Sequence, residues 1–358
     1  MTDFMPFQDA WSHQSTSEVP FLLKQNEYMK ENRPYEGLRI LHNIPLSLET
    51  VCKLEPLLHS GAEITVTINN LAHPATMSDA LDLLDKAGVI VVDDHENVSG
   101  DYDFCLDCGA EFADIIKPKL GVVELTRSGA LVYEKRDTSI PVLSIDDSTT
   151  KCLETHFGTG DGFLRAFLQL TQEDIRDKKF VIFGFGKVGK GIAHTLSMYT
   201  EDVIAIDIDD EALASGERYG VTTLHLGNDR KAVEDAISDA FAVVCATGVK
   251  DLISKNFSDK GLFEGKYLAN AGVNEFGDMF SDDDVLYSKM WPINFALADP
   301  TKMRYLDPSF YAHNMGPDII MKKKLGPGYH YLPEDIDNAI VSEWQDYYGE
   351  NISLIIDQ

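Results

Sequence analysis

The chain has 358 residues, 44% of them hydrophobic and 25% charged, with 59 acidic against 31 basic side chains and a formal net charge of −28. That length holds two domains with separate cores, and the composition is that of an ordinary globular protein. A surface so acidic repels phosphate backbones, which sets nucleic acid aside as a general partner.

Short apolar runs and helical patterns alternate along the first half. Residues 38–41 read as a strand, 48–58 as a helix with apolar residues at helical spacing, 63–68 as a strand and 77–86 as a helix. Short strands follow at 89–92, 104–106 and 120–123. Alternating strands and helices imply a parallel sheet covered on both faces. Residues 163–170 read as a helix with Asp161 as its N-cap. A second series then begins, with strands near 179–183, 203–206, 222–225, 241–245 and 267–270. The expected fold class is α/β, with two doubly wound parallel-sheet lobes joined near residues 150–170. The boundaries drawn are a substrate-type lobe over 1–150, completed by about 308–345, a cofactor lobe over 151–307, and a tail over 346–358.

No apolar run is long enough to span a bilayer, and the opening MTDFMPFQDAWSHQST lacks the basic start and apolar stretch of a secretory signal. A cytoplasmic location without a membrane partner is therefore expected. Five cysteines in no framework spacing fit reduced thiols. Cys105 and Cys108 form a C-x-x-C with no second pair or histidine cluster beside it, so no metal site is expected. They read as buried thiols at a strand end, with a redox pair as the alternative.

The second lobe carries the clearest chemistry. Gly184-Phe-Gly186-Lys187-Val188-Gly189 follows a strand and opens a helix, and the next strand ends in Asp207. In that context the pattern is a Rossmann dinucleotide fingerprint. Gly184 permits the tight turn, Gly186 lets the backbone approach the pyrophosphate, Gly189 lets helix and strand pack closely, and the helix N-terminus faces the phosphates. Asp207 can accept from both hydroxyls of the adenine ribose and repels a 2′-phosphate, so NAD is the expected cofactor rather than NADP.

With these residues in place, the chain resembles the S-adenosylhomocysteine hydrolase family. The likeness is carried by GFGKVGKG with Val203-Ile-Ala-Ile-Asp207, by Cys245-Ala-Thr247-Gly248 and by Asn270-Ala-Gly272. It extends to Arg39-Ile40, Glu49-Thr50, Gly61-Ala-Glu63, Asp147-Ser148 with Thr150-Lys151, Pro308-Ser-Phe310 and Tyr331-Leu-Pro333, so it covers nearly the whole chain. The resemblance implies that Thr247, Gly248, Asn270 and Gly272 line the cofactor, that Thr126 and Ser128 touch its nicotinamide end, and that the chain forms a homo-oligomer. The apolar Ile352-Ser-Leu-Ile-Ile356, which needs a surface to bury against, supports self-association.

The family's proton-moving residues are largely replaced. Pro45, Val273 and Asp307 stand where it places histidines, Cys108 and Leu125 where it places carboxylates (with Asp107 adjacent to Cys108), and Thr155 where it places an aspartate. Lys151 remains as the leading catalytic candidate, an amine that near a positive nicotinamide could take an alcohol proton, with a salt-bridged lysine at a domain hinge as the alternative. His156, His42 and His313 are further candidates, each with an interior or surface structural role as the alternative. The chain is thus read as an NAD-dependent oxidoreductase acting on an alcohol of a small polar metabolite, modified sugar or nucleoside. A catalytically silent NAD-binding regulatory protein and an active S-adenosylhomocysteine hydrolase are the alternatives.

Overall fold

The computed structural model of the chain describes residues 2–70 and 72–356. The chain up to Lys151 together with Met303–Glu350 forms one compact unit, and Cys152–Lys302 with the segment that starts at Asn351 forms another. Among the described residues no helix is long and apolar enough to cross a membrane.

The first unit is built on a seven-stranded sheet, parallel throughout. Its strands are β1 (Arg39–His42), β2 (Glu63–Thr67), β3 (Ile90–Val92), β4 (Phe104–Asp107), β5 (Gly121–Glu124), β6 (Pro141–Ser144) and the late strand Gly328–Tyr331. The spatial order runs from Gly328–Tyr331 through β6, β5, β4, β1 and β2 to β3. The chain winds one way from β1 and then the other way from β4, so the strand order reverses between these two. Such a reversal opens a crevice at the carboxyl ends of the strands. β6 and Gly328–Tyr331 are additions to the strands read from the sequence, as are the helices Phe7–Ser12 and Pro20–Asn32.

The second unit holds a five-stranded sheet, also fully parallel, of β7 (Phe180–Phe183), β8 (Val203–Asp207), β9 (Thr222–His225), β10 (Ala242–Cys245) and β11 (Tyr267–Asn270). The order β11-β10-β7-β8-β9 places its reversal between β7 and β10. β7 and β10 are buried along their whole lengths, which explains why their sequences are apolar runs and not alternations. Helix Thr159–Thr171 packs closely on helix Lys187–Ser197 because the contact is made by glycines. A Cβ on Gly160 would meet Thr195 Oγ1 at 2.3 Å, and one on Gly191 the His156 carbonyl oxygen at 2.1 Å.

Two expectations are corrected. Asp161 is not an N-cap: the chain is already helical through Thr149–Cys152 and a π-helical stretch, Leu153–Gly158, so Asp161 lies in the first turn of Thr159–Thr171. Its carboxylate receives Arg165 Nε at 2.7 Å and Lys302 Nζ at 2.9 Å. The surface that the apolar end is expected to need is supplied for Ile352 and Ile355 by the chain itself, since both are buried within the second unit. There Tyr219 donates its hydroxyl to the Leu354 carbonyl at 3.1 Å and Arg218 donates to that of Ser353.

Candidate functional site

In the second unit the fingerprint residues meet at the carboxyl ends of the strands. Gly184 follows β7 with φ +94°, and a Cβ there would lie 2.5 Å from the Ala246 carbonyl oxygen, so the turn requires glycine. Gly189 fills the next close contact: its Cβ would fall 1.9 Å from the Gly184 carbonyl oxygen. Gly186, the N-cap of helix Lys187–Ser197, is different, since a Cβ there would meet no protein atom within 4 Å. Its missing side chain keeps open the space in front of the first-turn N–H groups, while Val188 turns inward onto the core. At the end of β8, Asp207 accepts from Phe185 N at 2.6 Å, Ile208 N at 2.7 Å and Asp209 N at 3.1 Å, and so ties the glycine turn to the second strand.

Across the reversal, β10 ends in the Thr247-Gly248 turn and β11 in Asn270. Asn270 donates Nδ2 to the Lys289 carbonyl at 2.6 Å, and its buried Oδ1 has no hydrogen-bond partner among the described residues. Glu275, which no sequence motif singles out, accepts from Thr247 N (2.9 Å), Thr247 Oγ1 (2.8 Å) and Gly248 N (2.7 Å). The Thr247 hydroxyl proton is therefore committed to a carboxylate. Burial raises the Glu275 pKa, and these three donors oppose that rise.

In the first unit, the strands that flank the reversal end in buried polar residues: His42 on β1, Thr67 on β2, Asp107 on β4, Glu124 on β5 and Ser144 on β6, each fully enclosed. Asp107 and Glu124 are direct register partners. Asp107 accepts from Asn43 Nδ2 (2.9 Å), Cys108 N (2.9 Å), Phe112 N (3.2 Å) and the Tyr133 hydroxyl (3.0 Å). Glu124 accepts from Gly109 N, Ala110 N, Thr126 N and Thr126 Oγ1 at 2.7–3.0 Å. Both carboxyls are pushed up by burial, Glu124 also by the Asp107 charge, and the donors pull them back. Gly129 is glycine for this reason, since a Cβ would lie 2.2 Å from the Glu124 carboxyl carbon.

Lys151 is only 4% exposed. Its N–H is held by Ser148 Oγ at 3.0 Å, and the turn before it is pinned by Asp337, which accepts from Thr149 N and Thr150 N at 2.8 Å and from Thr150 Oγ1 at 2.6 Å. Lys151 lies within electrostatic reach of Cys108 and His313.

The histidines are placed less favourably for catalysis. His313 donates Nε2–H to the Val123 carbonyl at 3.0 Å beneath the sheet. His42 is paired through Nε2 with the enclosed Lys53 amine at 2.9 Å, which also donates to Asn314 Oδ1 at 2.6 Å. Burial lowers the pKa of both rings and of Lys53. His156 sits inside the second unit, with its ring centroid 5.5 Å from that of Tyr219 and 5.8 Å from that of His194. Burial, with the nearby His194, Lys190 and Arg218 charges, takes its pKa down to about 3.

Several other positions are occupied by structural work. Thr126 caps helix Arg127–Glu134 and gives its hydroxyl to Glu124, with exposed Ser128 Oγ 3.4 Å away. Arg127 is paired with Asp147 at 2.9 Å. Asp307, in a family histidine position, caps helix Pro20–Asn32 through Phe21 N and Leu22 N, both at 2.8 Å. Cys105 and Cys108 are buried free thiols, and burial raises both pKa values. Among the described residues no group of three or more His, Cys, Asp or Glu side chains is arranged to hold a metal ion.

Residues 180–254 match the TrkA-N domain family. Along the whole chain the similarity is to S-inosyl-L-homocysteine hydrolases. That of Methanopyrus kandleri is 25% identical over 90% of this chain and 86% of its own. That of Methanocaldococcus jannaschii is 26% identical over 93% and 89%. The similarity of the chain to these S-inosyl-L-homocysteine hydrolases thus extends over about nine-tenths of its length. In fold alone it is similar to a dipicolinate synthase chain from Bacillus halodurans, with a TM-score of 0.50, 13% identity, and coverage of 81% of this chain and 98% of that one.

The cofactor is a nicotinamide dinucleotide. The residues present fit it. Open space at Gly186 faces the first-turn helix N–H groups, the Asp207 carboxylate stands at the end of β8, and the buried Asn270 Oδ1 offers an acceptor suited to a carboxamide N–H.

Proposed function

We propose that the chain is an NAD-dependent oxidoreductase that interconverts a hydroxyl and a carbonyl on a small metabolite with a nucleoside or sugar part, with Lys151 handling the hydroxyl proton. The observation that carries the proposal is the placement of Lys151. It is a buried lysine whose main-chain N–H is held by Ser148 Oγ and which follows the Asp337-pinned turn, in a unit whose strand ends form a polar edge at a topological reversal. The nicotinamide would supply reversible hydride acceptance. Gly184, Gly186 and Gly189, with the first turn at Lys187 and Val188, hold the pyrophosphate; Asp207 holds the adenine ribose; Asn270 and the Thr247-Gly248 turn border the nicotinamide end.

The names of the relatives point to a nucleoside thioether as the substrate type. The redox step is favoured over hydrolysis because the carboxylates that could move further protons are already consumed. Asp107 and Glu124 each take four donors from the surrounding turns and side chains, and Pro45, Leu125, Thr155 and Val273 carry no exchangeable proton in the useful range. Self-association, implied by the family resemblance, belongs to the same proposal.

The test is to incubate the purified protein with NAD and either S-inosyl- or S-adenosyl-L-homocysteine, following nicotinamide absorbance and thiol release in parallel. Absorbance change without thiol supports the redox reading. Steady thiol release at ordinary enzymatic rates overturns it in favour of a hydrolase. Neither signal, over a wider panel of nucleosides and sugars, overturns it in favour of an NAD-binding protein without chemistry.

A further inference from the structure

The cofactor lobe contains a buried carboxylate that the fingerprint does not include. Glu275 is fully enclosed, and its two oxygens are divided between neighbouring groups. Oε2 takes both the N–H and the hydroxyl of Thr247, and Oε1 takes the N–H of Gly248. Oε1 also lies so close to Gly272 that a Cβ there would fall 2.0 Å from it. One side chain therefore touches the turns that follow two adjacent parallel strands, β10 and β11, on one side of the reversal. The adenine side is ordered separately, by Asp207 bonding to the glycine turn. The two halves of the cradle have two different carboxylates as organisers.

The geometry points to Glu275 as a positioning residue that locks the Thr247-Gly248 and Gly272 turns into the shape that receives the nicotinamide half of NAD, with no part in holding the adenine half. A carboxylate suits this task better than its amide, because all three groups aimed at it are donors. In Glu275→Gln one of the two oxygens becomes an NH₂, which cannot accept, so either the Thr247 pair or the Gly248 N–H loses its partner. Gly272 belongs to the same device. Its φ is not in the left-handed region, so alanine is tolerated by the backbone and acts only by displacing the carboxylate. The device lies in the cofactor lobe alone and operates whichever substrate the first unit accepts.

Calorimetry separates the two halves by using two probes, NAD and 5′-ADP, on the intact protein. ADP carries the adenine, ribose and pyrophosphate but lacks the nicotinamide nucleoside. Loss of a hydrogen bond to a charged group predicts that Glu275→Gln binds NAD roughly 10- to 100-fold more weakly. ADP affinity should stay within about twofold. Gly272→Ala should give the same NAD-selective loss, and the double variant should lose little more than either single one, because both act through one carboxylate. NAD and ADP weakened in equal proportion would show that Glu275 merely supports the fold, and unchanged NAD affinity in both variants would show that it positions nothing. Either result overturns the inference. If Glu275→Gln does not fold, Gly272→Ala decides the question by the same ratio.

Discussion

Replacing His156 with phenylalanine distinguishes an interior histidine from a catalytic one. The ring is wholly enclosed, both nitrogens lack hydrogen-bond partners among the described residues, and its pKa is lowered to about 3 against an ordinary 6.5. A base depressed on folding is stable in its neutral form, so its contribution is intact above pH 6.5 and is lost as pH falls from 6.5 toward 3. At about 1.4 kcal/mol per pKa unit, the unfolded state gains roughly 2 kcal/mol from this one proton at pH 5, and about 5 kcal/mol below pH 3. At pH 7.5 the same term is about 0.1 kcal/mol. Urea unfolding of the native chain and of His156→Phe at pH 7.5 and pH 5 gives a double difference that removes every other titrating group. We expect the variant to be spared about 2 kcal/mol of the acid destabilisation, and to retain NAD affinity and any turnover. Equal acid sensitivity of the two proteins would refute the interior placement. A normal unfolding profile with turnover lost would restore His156 to the catalytic set.

The fingerprint glycines should fail in different ways. Gly186→Val places its Cβ where no protein atom lies within 4 Å, so it should change thermal stability little while blocking NAD binding in calorimetry. Gly189→Ala drives a Cβ into the Gly184 carbonyl and should lower the melting temperature as well. Asp207 should make NAD bind at least about tenfold more tightly than NADP, a preference that Asp207→Ser narrows while also weakening NAD, because Phe185 N loses its acceptor. Lys151→Met should cut turnover of the substrate found by the screen about 10²–10⁴-fold at unchanged NAD affinity. Asp337→Asn should reduce turnover less and destabilise the chain by about 1–3 kcal/mol, measured by urea unfolding, since Thr149 and Thr150 N–H groups lose their charged acceptor.

Most of the architecture could be read in the sequence because parallel sheets write themselves as short apolar runs between helical segments. FVIF and AVVC are buried on both faces, and their apolar character has no other explanation. β6 and Gly328–Tyr331 were harder to see. PVLS is bounded by an arginine-aspartate loop and a run of acids and hydroxyls, and GYHY reads as an exposed aromatic patch until its pairing with β6 is known. The cofactor turn was legible for a physical reason: close approach of backbone to backbone at Gly184 and Gly189 restricts those positions to one residue type. Glu275 was not legible, because a lone glutamate five residues beyond a strand has no pattern until the turns it bonds are seen in space.

The catalytic side shows why motif positions and chemistry separate. The sequence places Cys108 and Leu125 at positions where the family resemblance asks for carboxylates, which suggests that these charges are gone. In the structure each carboxylate stands one residue earlier, at the last position of its strand, as Asp107 and Glu124. A shift of one residue along a strand turns a side chain to the other face. Here it also changes the partners, because a carboxylate on the last strand residue points at the N–H groups of the following turn. Gly109, Ala110, Cys108, Phe112 and Thr126 supply those N–H groups, and Gly129 leaves the room. The polar composition of the edge is thus preserved while both carboxylates are occupied by main-chain and side-chain donors, so they define the turns; under the proposed function this leaves proton transfer to Lys151. Glu124→Gln separates these roles: it should destabilise the chain in urea by about 1–3 kcal/mol through the lost acceptor, with turnover per folded molecule preserved. If turnover instead falls by orders of magnitude with stability intact, Glu124 is a proton-transfer group and the hydrolytic reading of the site gains its missing carboxylate.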